Sequence, residues 1–330
     1  MADGIDSLVG QLREGFQVDP DALGEHPRYS QYKNLAKAAE LQAKRRQDAL
    51  DRQKEGRYLK LMKLRNLVGD ETTDEDDEEL EEEAVEVNEP KEEKRLKMRN
   101  KYADQLMLSE WLVDIPDQLS EQWTMVVAPI GRRCLVVATK GLTNAYNKSG
   151  RNVMQFNSYL PGGYGRNKCN SHTVLDCIFG DNTFYVIDIL SWDGREYNEC
   201  PFDFRMFMLD SKIQETPELG QTSKKQRYRY VAADKCPATP AAMTEKMKQT
   251  FNYKVDGLMF YHNSVIYEAG QSPLVGWLKP WMMPEILNIP VAEHYLKGHE
   301  HYANSQQFID QYNKKHGHQS QIDKSMDVDN

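Results

Sequence analysis

Downstream of residue 120 the chain reads as short apolar runs broken by turn residues. TMVVAPI (124–130), RCLVVAT (133–139), HTVLDCIF (172–179) and TFYVIDIL (183–190) are rich in β-branched and aromatic side chains, as strands require. FRMFML (204–209), RYRYVAA (227–233), DGLMFYH (256–262) and PLVGWL (273–278) read as β in the same way. Gly180-Asp181-Asn182 separates two runs at hairpin spacing, which favours antiparallel pairing. Helices are expected near Asp104–Trp111, Thr239–Thr250 and Glu285–Leu287. Strands outnumber helices, so residues 97–292 are predicted to form an α+β domain built on mostly antiparallel sheet. The remaining tail, 293–330, rich in His, Gln, Lys and Asp, reads as disordered.

The first hundred residues have a different rhythm. Ile5, Leu8, Leu12, Phe16 and Val18 stand three, four, four and two apart, so the first four share one helical face and the last suits an extended exit. That pattern fits either a small amphipathic helix docked on its own domain or a leucine-rich export signal whose apolar anchors fill a receptor groove. Residues 28–68 read as one long helix: Pro27 can start it, no proline interrupts it, and Ala, Leu, Gln, Lys and Arg dominate. Its apolar positions (Leu41, Ala49, Leu50, Tyr58, Leu59, Met62) make an incomplete stripe, so it is expected to bury poorly against its own domain and to favour an acidic partner. A free-standing solvated helix or a nonspecific RNA-binding arm has the same composition.

Charge sharpens this division. The 330 residues carry a net charge of −9, but residues 28–68 hold twelve Lys/Arg against four Asp/Glu, and residues 70–93 hold fifteen Asp/Glu against one Lys. A basic block followed at once by an acidic one points to modules rather than one mixed surface. The acidic stretch has no aromatic residue and cannot bury enough apolar surface to offset ordering, so 69–96 reads as a disordered linker. No apolar run approaches the roughly 18–20 residues that cross a bilayer. The start of the chain has no basic n-region, which argues against a secretory leader. Five cysteines, without a CxxC pair, suggest neither a zinc module nor a disulfide framework. The histidines show no HExxH or Cys/His ligand spacing, so no metal, cofactor or catalytic set is expected.

Nucleotide recognition is the chemistry the body has ingredients for. Trp111 and Trp277 fall outside simple alternating strands, and Arg132, Arg133, Lys140, Lys148 and Arg151 supply cations in and after a hairpin. Stacking a base on an aromatic ring contributes about 1–3 kcal/mol, and a cationic base over Trp about 2 kcal/mol when desolvated. Both tryptophans also suit an ordinary core.

Three segments carry a family resemblance. HPRYSQYKNLAK (26–37) with the basic helix after it resembles the importin-β-binding segment of the snurportin family, and NKYADQLMLSEWLVDIP (100–116) resembles the opening of that family's cap-binding domain. KVDGLMFYH (254–262) and SPLVGWLKPWM (272–282) resemble its C-terminal part, and YNKSG (146–150) and YLPGG (159–163), between the opening and that part, resemble the family in the same order. The resemblance implies a receptor for the trimethylguanosine cap of small nuclear RNPs. It implies that Trp277 stacks on the methylated base, that Leu108 covers the other side, that Ser109 and Trp111 line the pocket, and that Arg133 and Lys148 answer the guanine edge and triphosphate. N7 methylation makes the base cationic and strengthens stacking on indole; the two N2 methyls favour an apolar wall over a carboxylate.

The same resemblance assigns residues 25–68 to importin β, with Arg28, Lys33, Arg45, Arg46, Arg52, Lys54, Arg57, Lys60 and Arg65 as candidate contacts. It makes Ile5, Leu8, Leu12, Phe16 and Val18 anchors for an export receptor, and so implies shuttling between cytoplasm and nucleus, without membrane or DNA partners. The family's body is similar to the nucleotidyltransferase fold of mRNA capping enzymes, which raises an enzymatic alternative. Those enzymes need a nucleophilic lysine in KxDG; the matching stretch here is Ala138-Thr139-Lys140-Gly141, with alanine at the nucleophile, and Leu175-Asp176-Cys177-Ile178 offers no glutamate. Asp256-Gly257-Leu258 keeps another motif of that fold. The expectation is a non-enzyme. An import adaptor for uncapped cargo is the other alternative.

Overall fold

The computed structural model describes residues 35–64, 101–165, 171–299 and 301–326. The expected export signal, the first part of the basic segment, the acidic linker and Arg65 lie outside these. The chain divides into two units, residues 1–44 and 45–330. The first is described from Leu35, where helix α1 (Leu35–Leu64) begins.

Among the described residues the second unit contains twelve strands. A five-stranded sheet joins β1 (Met107–Trp111), β12 (Gly270–Leu278), β11 (Val255–His262), β2 (Trp123–Pro129) and β10 (Lys235–Pro237), in that order. Every pairing in it is antiparallel except β1 with β12. The second sheet runs β5 (Asn152–Phe156), β4 (Leu142–Tyr146), β3 (Arg132–Thr139), β6 (His172–Gly180), β7 (Thr183–Trp192) and β8 (Arg195–Glu196). Strand β9 (Arg229–Ala232) adds to β7 in parallel. The predicted hairpin closes β6 onto β7, with Asp181 and Asn182 both at positive φ (49° and 57°), the two-residue turn that follows strand twist.

Alternation along the strands builds three apolar layers. Val126, Met259, Tyr261 and Val275 of the first sheet share a buried cluster with Val136, Leu175 and Val186 of the second. Met125, Val127, Leu258, Phe260 and Leu278 face the other way, under helix α3 (Pro240–Lys248) and the segment around Met282 and Leu287. Leu135 and Val137 face away from the shared core and meet Leu106, Leu108, Tyr102 and Tyr146. The mixed α+β, mostly antiparallel architecture preceded by a long helix is the predicted one.

Several local expectations are corrected. Asp104–Trp111 is not a helix: Met107–Trp111 is β1, which completes the edge of β12. FRMFML is not a strand but part of helix α2 (Phe202–Glu215), with Phe202, Met206 and Leu209 buried and Phe204 and Phe207 exposed, a spacing of 3.6 rather than 2. The tail expected to be disordered is helical over Glu293–Leu296 and again in α4 (Ser305–Met326). Ile309 is 4% exposed, and Phe308 packs edge-on to Trp111 and Trp281, so apolar contact outweighs the tail's polar composition. Helix α1 also buries more than its stripe suggested: Arg46, Ala49 and Gln53, at i, i+3 and i+7, are 8%, 3% and 4% exposed.

Candidate functional site

Strand β1 positions three of the six expected pocket residues. Its parallel register with β12 sets Leu108 opposite Gln271 and Ser109 opposite Ser272, then jumps so that Glu110 faces Gly276 and Trp111 faces Trp277. The jump falls where β12 carries Pro273, which has no N–H to give the ladder. Ser272 Oγ accepts the Leu274 N–H at 3.3 Å and holds the irregular segment.

Trp277 is half-buried against the shared core. Its six-membered ring lies on Gly257, where a Cβ would come within 2.2 Å of Cζ2. Lys279 Nζ sits 5.5 Å from the Trp277 ring centroid. It is tethered there by the Asp256 carboxylate at 2.7 Å and the Asp256 carbonyl at 3.0 Å. A planar aromatic platform is thus fixed by backbone on β11, with the ion-paired Lys279 ammonium over its ring.

Leu108 is half-buried over the Leu135–Val137 layer. The β4–β5 loop bearing Lys148 is fastened to the chain entering β1: the Lys148 carbonyl accepts the Asp104 N–H at 2.9 Å, and Ala103 bridges to Ser149. Gly150 makes that approach possible, since its φ is +74° and a Cβ would stand 2.5 Å from Ala103 N. The rings of Tyr102 and Tyr146, at the two ends of this link, meet with centroids 4.1 Å apart and planes tilted by 31°. Leu108, Ser109 and the exposed Lys148 therefore belong to one corner of the fold.

Two expected residues have other occupations. Arg133 grips Asp176 with two hydrogen bonds, 3.0 Å from Nε and 2.7 Å from Nη2, and Nη2 also donates to the Met107 carbonyl at 2.6 Å. Burial opposes its charge, but the facing Asp176 carboxylate outweighs burial and holds the guanidinium above its ordinary pKa. Tyr267 donates to the same carboxylate at 2.7 Å and accepts the Met107 N–H at 3.1 Å. Arg133 thereby ties β1 to the second sheet. Trp111, although in Cα register with Trp277, turns to the opposite layer, edge-on to Phe308 and Tyr312 at 5.9 and 5.3 Å.

Sequence reasoning passed over Asp256, Gly257 and Lys279 as site residues. Their signal was present, because all three fall in the two segments that carry the family resemblance. Ala138, aligned with the capping-enzyme nucleophile, is fully buried on β3, and Lys140 sits in the exposed turn after it. Among the described residues no group of three His, Cys, Asp or Glu is placed to hold a metal.

Comparison with known proteins bears on the same segments. Among solved structures the chain resembles the ligase domain of LigD from M. tuberculosis, at 15% identity over 52% of this chain and 58% of that one, with a TM-score of 0.35. It also resembles a Lig E DNA ligase, at 16% identity over 53% and 68%, with a TM-score of 0.34. The chain thus spans 58% of the length of the LigD domain, and likeness at this level carries no inference about activity. The family models are specific: Snurportin1 matches residues 26–66, and the m3G cap-binding domain of Snurportin1 matches residues 105–280. Since the second match alone spans more than half of the 330 residues and contains β1, β12 and the Trp277 platform on Gly257, the chain belongs to the snurportin family.

Proposed function

We propose that this chain is a nuclear import adaptor that binds the trimethylguanosine cap of small nuclear RNPs through the Trp277 platform and links them to importin β. The observation that carries the reading is the indole of Trp277, held on Gly257 within the matched cap-binding segment. A cationic methylated base stacks on such a ring, with Leu108 and Ser109 on the neighbouring strand and Lys148 at the same corner available to a phosphate. Arg133 serves this site by fixing Met107 and hence the start of β1. Trp111 supports it from behind, through the strand it shares with Ser109.

The remaining modules complete the cycle. Residues 25–68 present Arg28, Lys33, Arg45, Arg46, Arg52, Lys54, Arg57, Lys60 and Arg65 to the acidic inner surface of importin β. Residues 69–96 act as a spacer, and residues 1–20 return the empty adaptor on an exportin, so that it shuttles between cytoplasm and nucleus. The buried Ala138 at the nucleophile position argues against a nucleotidyltransferase.

The test is titration of tryptophan fluorescence with trimethylated and monomethylated cap dinucleotides, on the wild type and on Trp277→Ala. Quenching that prefers the trimethylated cap and disappears in the variant is the expected outcome. No quenching by either cap overturns the cap reading and favours an adaptor for uncapped cargo.

A further inference from the structure

Two methyls on guanine N2 favour an apolar wall over a carboxylate, yet a carboxylate stands at the platform. Asp256 directly precedes Gly257, the residue on which the Trp277 ring lies, and its side chain is 44% exposed, accessible to an incoming base. What sets this carboxylate apart is its partner. Lys279 Nζ donates to Asp256 Oδ1 at 2.7 Å and to the Asp256 carbonyl at 3.0 Å, while standing over the Trp277 ring at 5.5 Å from its centroid. The strand register builds this triangle: Leu278, between Trp277 and Lys279, pairs with Leu258 and so brings the end of β12 beside the start of β11. The Lys279 side chain is only 21% exposed. An ammonium partly withdrawn from water, with two acceptors from one residue, is held in one geometry, unlike a freely solvated surface pair.

We propose that the Lys279–Asp256 pair is a specificity determinant of the cap site: by occupying the Asp256 carboxylate, Lys279 withholds it from guanine N1–H and N2–H and so selects the trimethylated cap against the monomethylated one. The proposal rests on the cap reading above. A monomethylated base keeps both N2–H donors, and a free carboxylate beside the stack would accept N1–H and N2–H together, as two charge-assisted bonds. The trimethylated base has no N2–H and cannot make the second. With the carboxylate occupied, the monomethylated base loses water from N2–H without gaining an acceptor, whereas the trimethylated base brings methyls that need none. N7 methylation makes both bases cationic, so repulsion from the Lys279 ammonium weakens both caps alike and leaves the selectivity unchanged.

The experiment titrates trimethylated and monomethylated cap dinucleotides into full-length wild type, Lys279→Met, Lys279→Arg and the double variant Lys279→Met with Asp256→Ala, reading tryptophan fluorescence. Both caps are measured on one preparation of each chain, so a partly folded variant scales them equally and leaves their ratio intact. Lys279→Met is expected to narrow the trimethyl preference by about tenfold or more, the fold-change that a charge-assisted hydrogen bond carries. Lys279→Arg, which can still hold the carboxylate, retains the preference, and adding Asp256→Ala to Lys279→Met restores it. An unchanged preference in Lys279→Met, or a narrowed one that Asp256→Ala does not restore, overturns the proposal while the cap reading stands. Equal weakening of both caps assigns Lys279 to the shared triphosphate and overturns the proposal as well. If the wild type is quenched by neither cap, the cap reading itself has failed and the proposal with it.

Discussion

A methyl group at residue 257 would stand 2.2 Å from Cζ2 of Trp277, too close for the indole to keep its place. Gly257→Ala is therefore expected to tilt the platform while leaving β11 paired. Loss of a stacking contribution of about 1–3 kcal/mol predicts a drop in cap affinity between about fivefold and about 150-fold, read by fluorescence titration, with little change in melting temperature. A second residue-scale prediction concerns His262. Its Nδ1 accepts the Ser264 N–H at 3.1 Å, its Nε2 lies 2.9 Å from Gln122 Oε1, and burial, with Lys54 adding to it, lowers its pKa to about 4. Neutral His262 is thus favoured by folding. The unfolded chain binds the extra proton first, so stability is full above the unfolded value of about 6.5 and declines as pH falls toward about 4. Urea unfolding between those limits is expected to lose about 3 kcal/mol, and His262→Gln to flatten the decline. Nothing in the sequence announced this residue, nor that Arg133 and Asp176, 43 positions apart, would close on one another.

At the scale of elements, two misreadings have physical causes. FRMFML is a short apolar run of strand length when read alone, and only the longer window from Phe202 to Glu215 exposes the helical period. Residues 104–111 carry helix-compatible side chains, yet Met107–Trp111 is drawn into β1 because the open edge of β12 satisfies its backbone. Helix α2 is fixed to β7 by a fully buried ion pair: Arg205 meets Asp188 at 2.7 and 2.8 Å and donates to the carbonyls of Cys200 and Val265. Burial raises the Asp188 pKa even against the pull of Arg205. Arg205→Met strands that carboxylate and is expected to cost about 3–5 kcal/mol in urea unfolding. Adding Asp188→Leu is expected to recover part of the loss, since no unpaired charge then remains buried.

At the scale of the whole molecule, α4 changes where the cap-binding unit ends. Its Ile309 is buried with Met282 and Leu287, and Phe308 stands against Trp111 and Trp281. Truncation after residue 304 is expected to lower stability by at least about 2 kcal/mol, the contribution of one buried isoleucine, measured as a fall in melting temperature. An unchanged melting temperature would return the tail to the disordered class its composition suggested.

By itself the sequence determined the strand-rich body, the hairpin at Asp181-Asn182, the basic helix and the family, because these depend on local period, turn chemistry and contiguous motifs. Only the tertiary structure decided that Trp277 rests on Gly257 while Trp111 faces the opposite layer, that Arg133 is spent on Asp176, and that α1 lies against Glu110 and Trp123. Each of those is a meeting of residues distant in sequence. Such a meeting is set by which strand edges and apolar faces remain to be covered once the sheets have formed, and no local pattern encodes it.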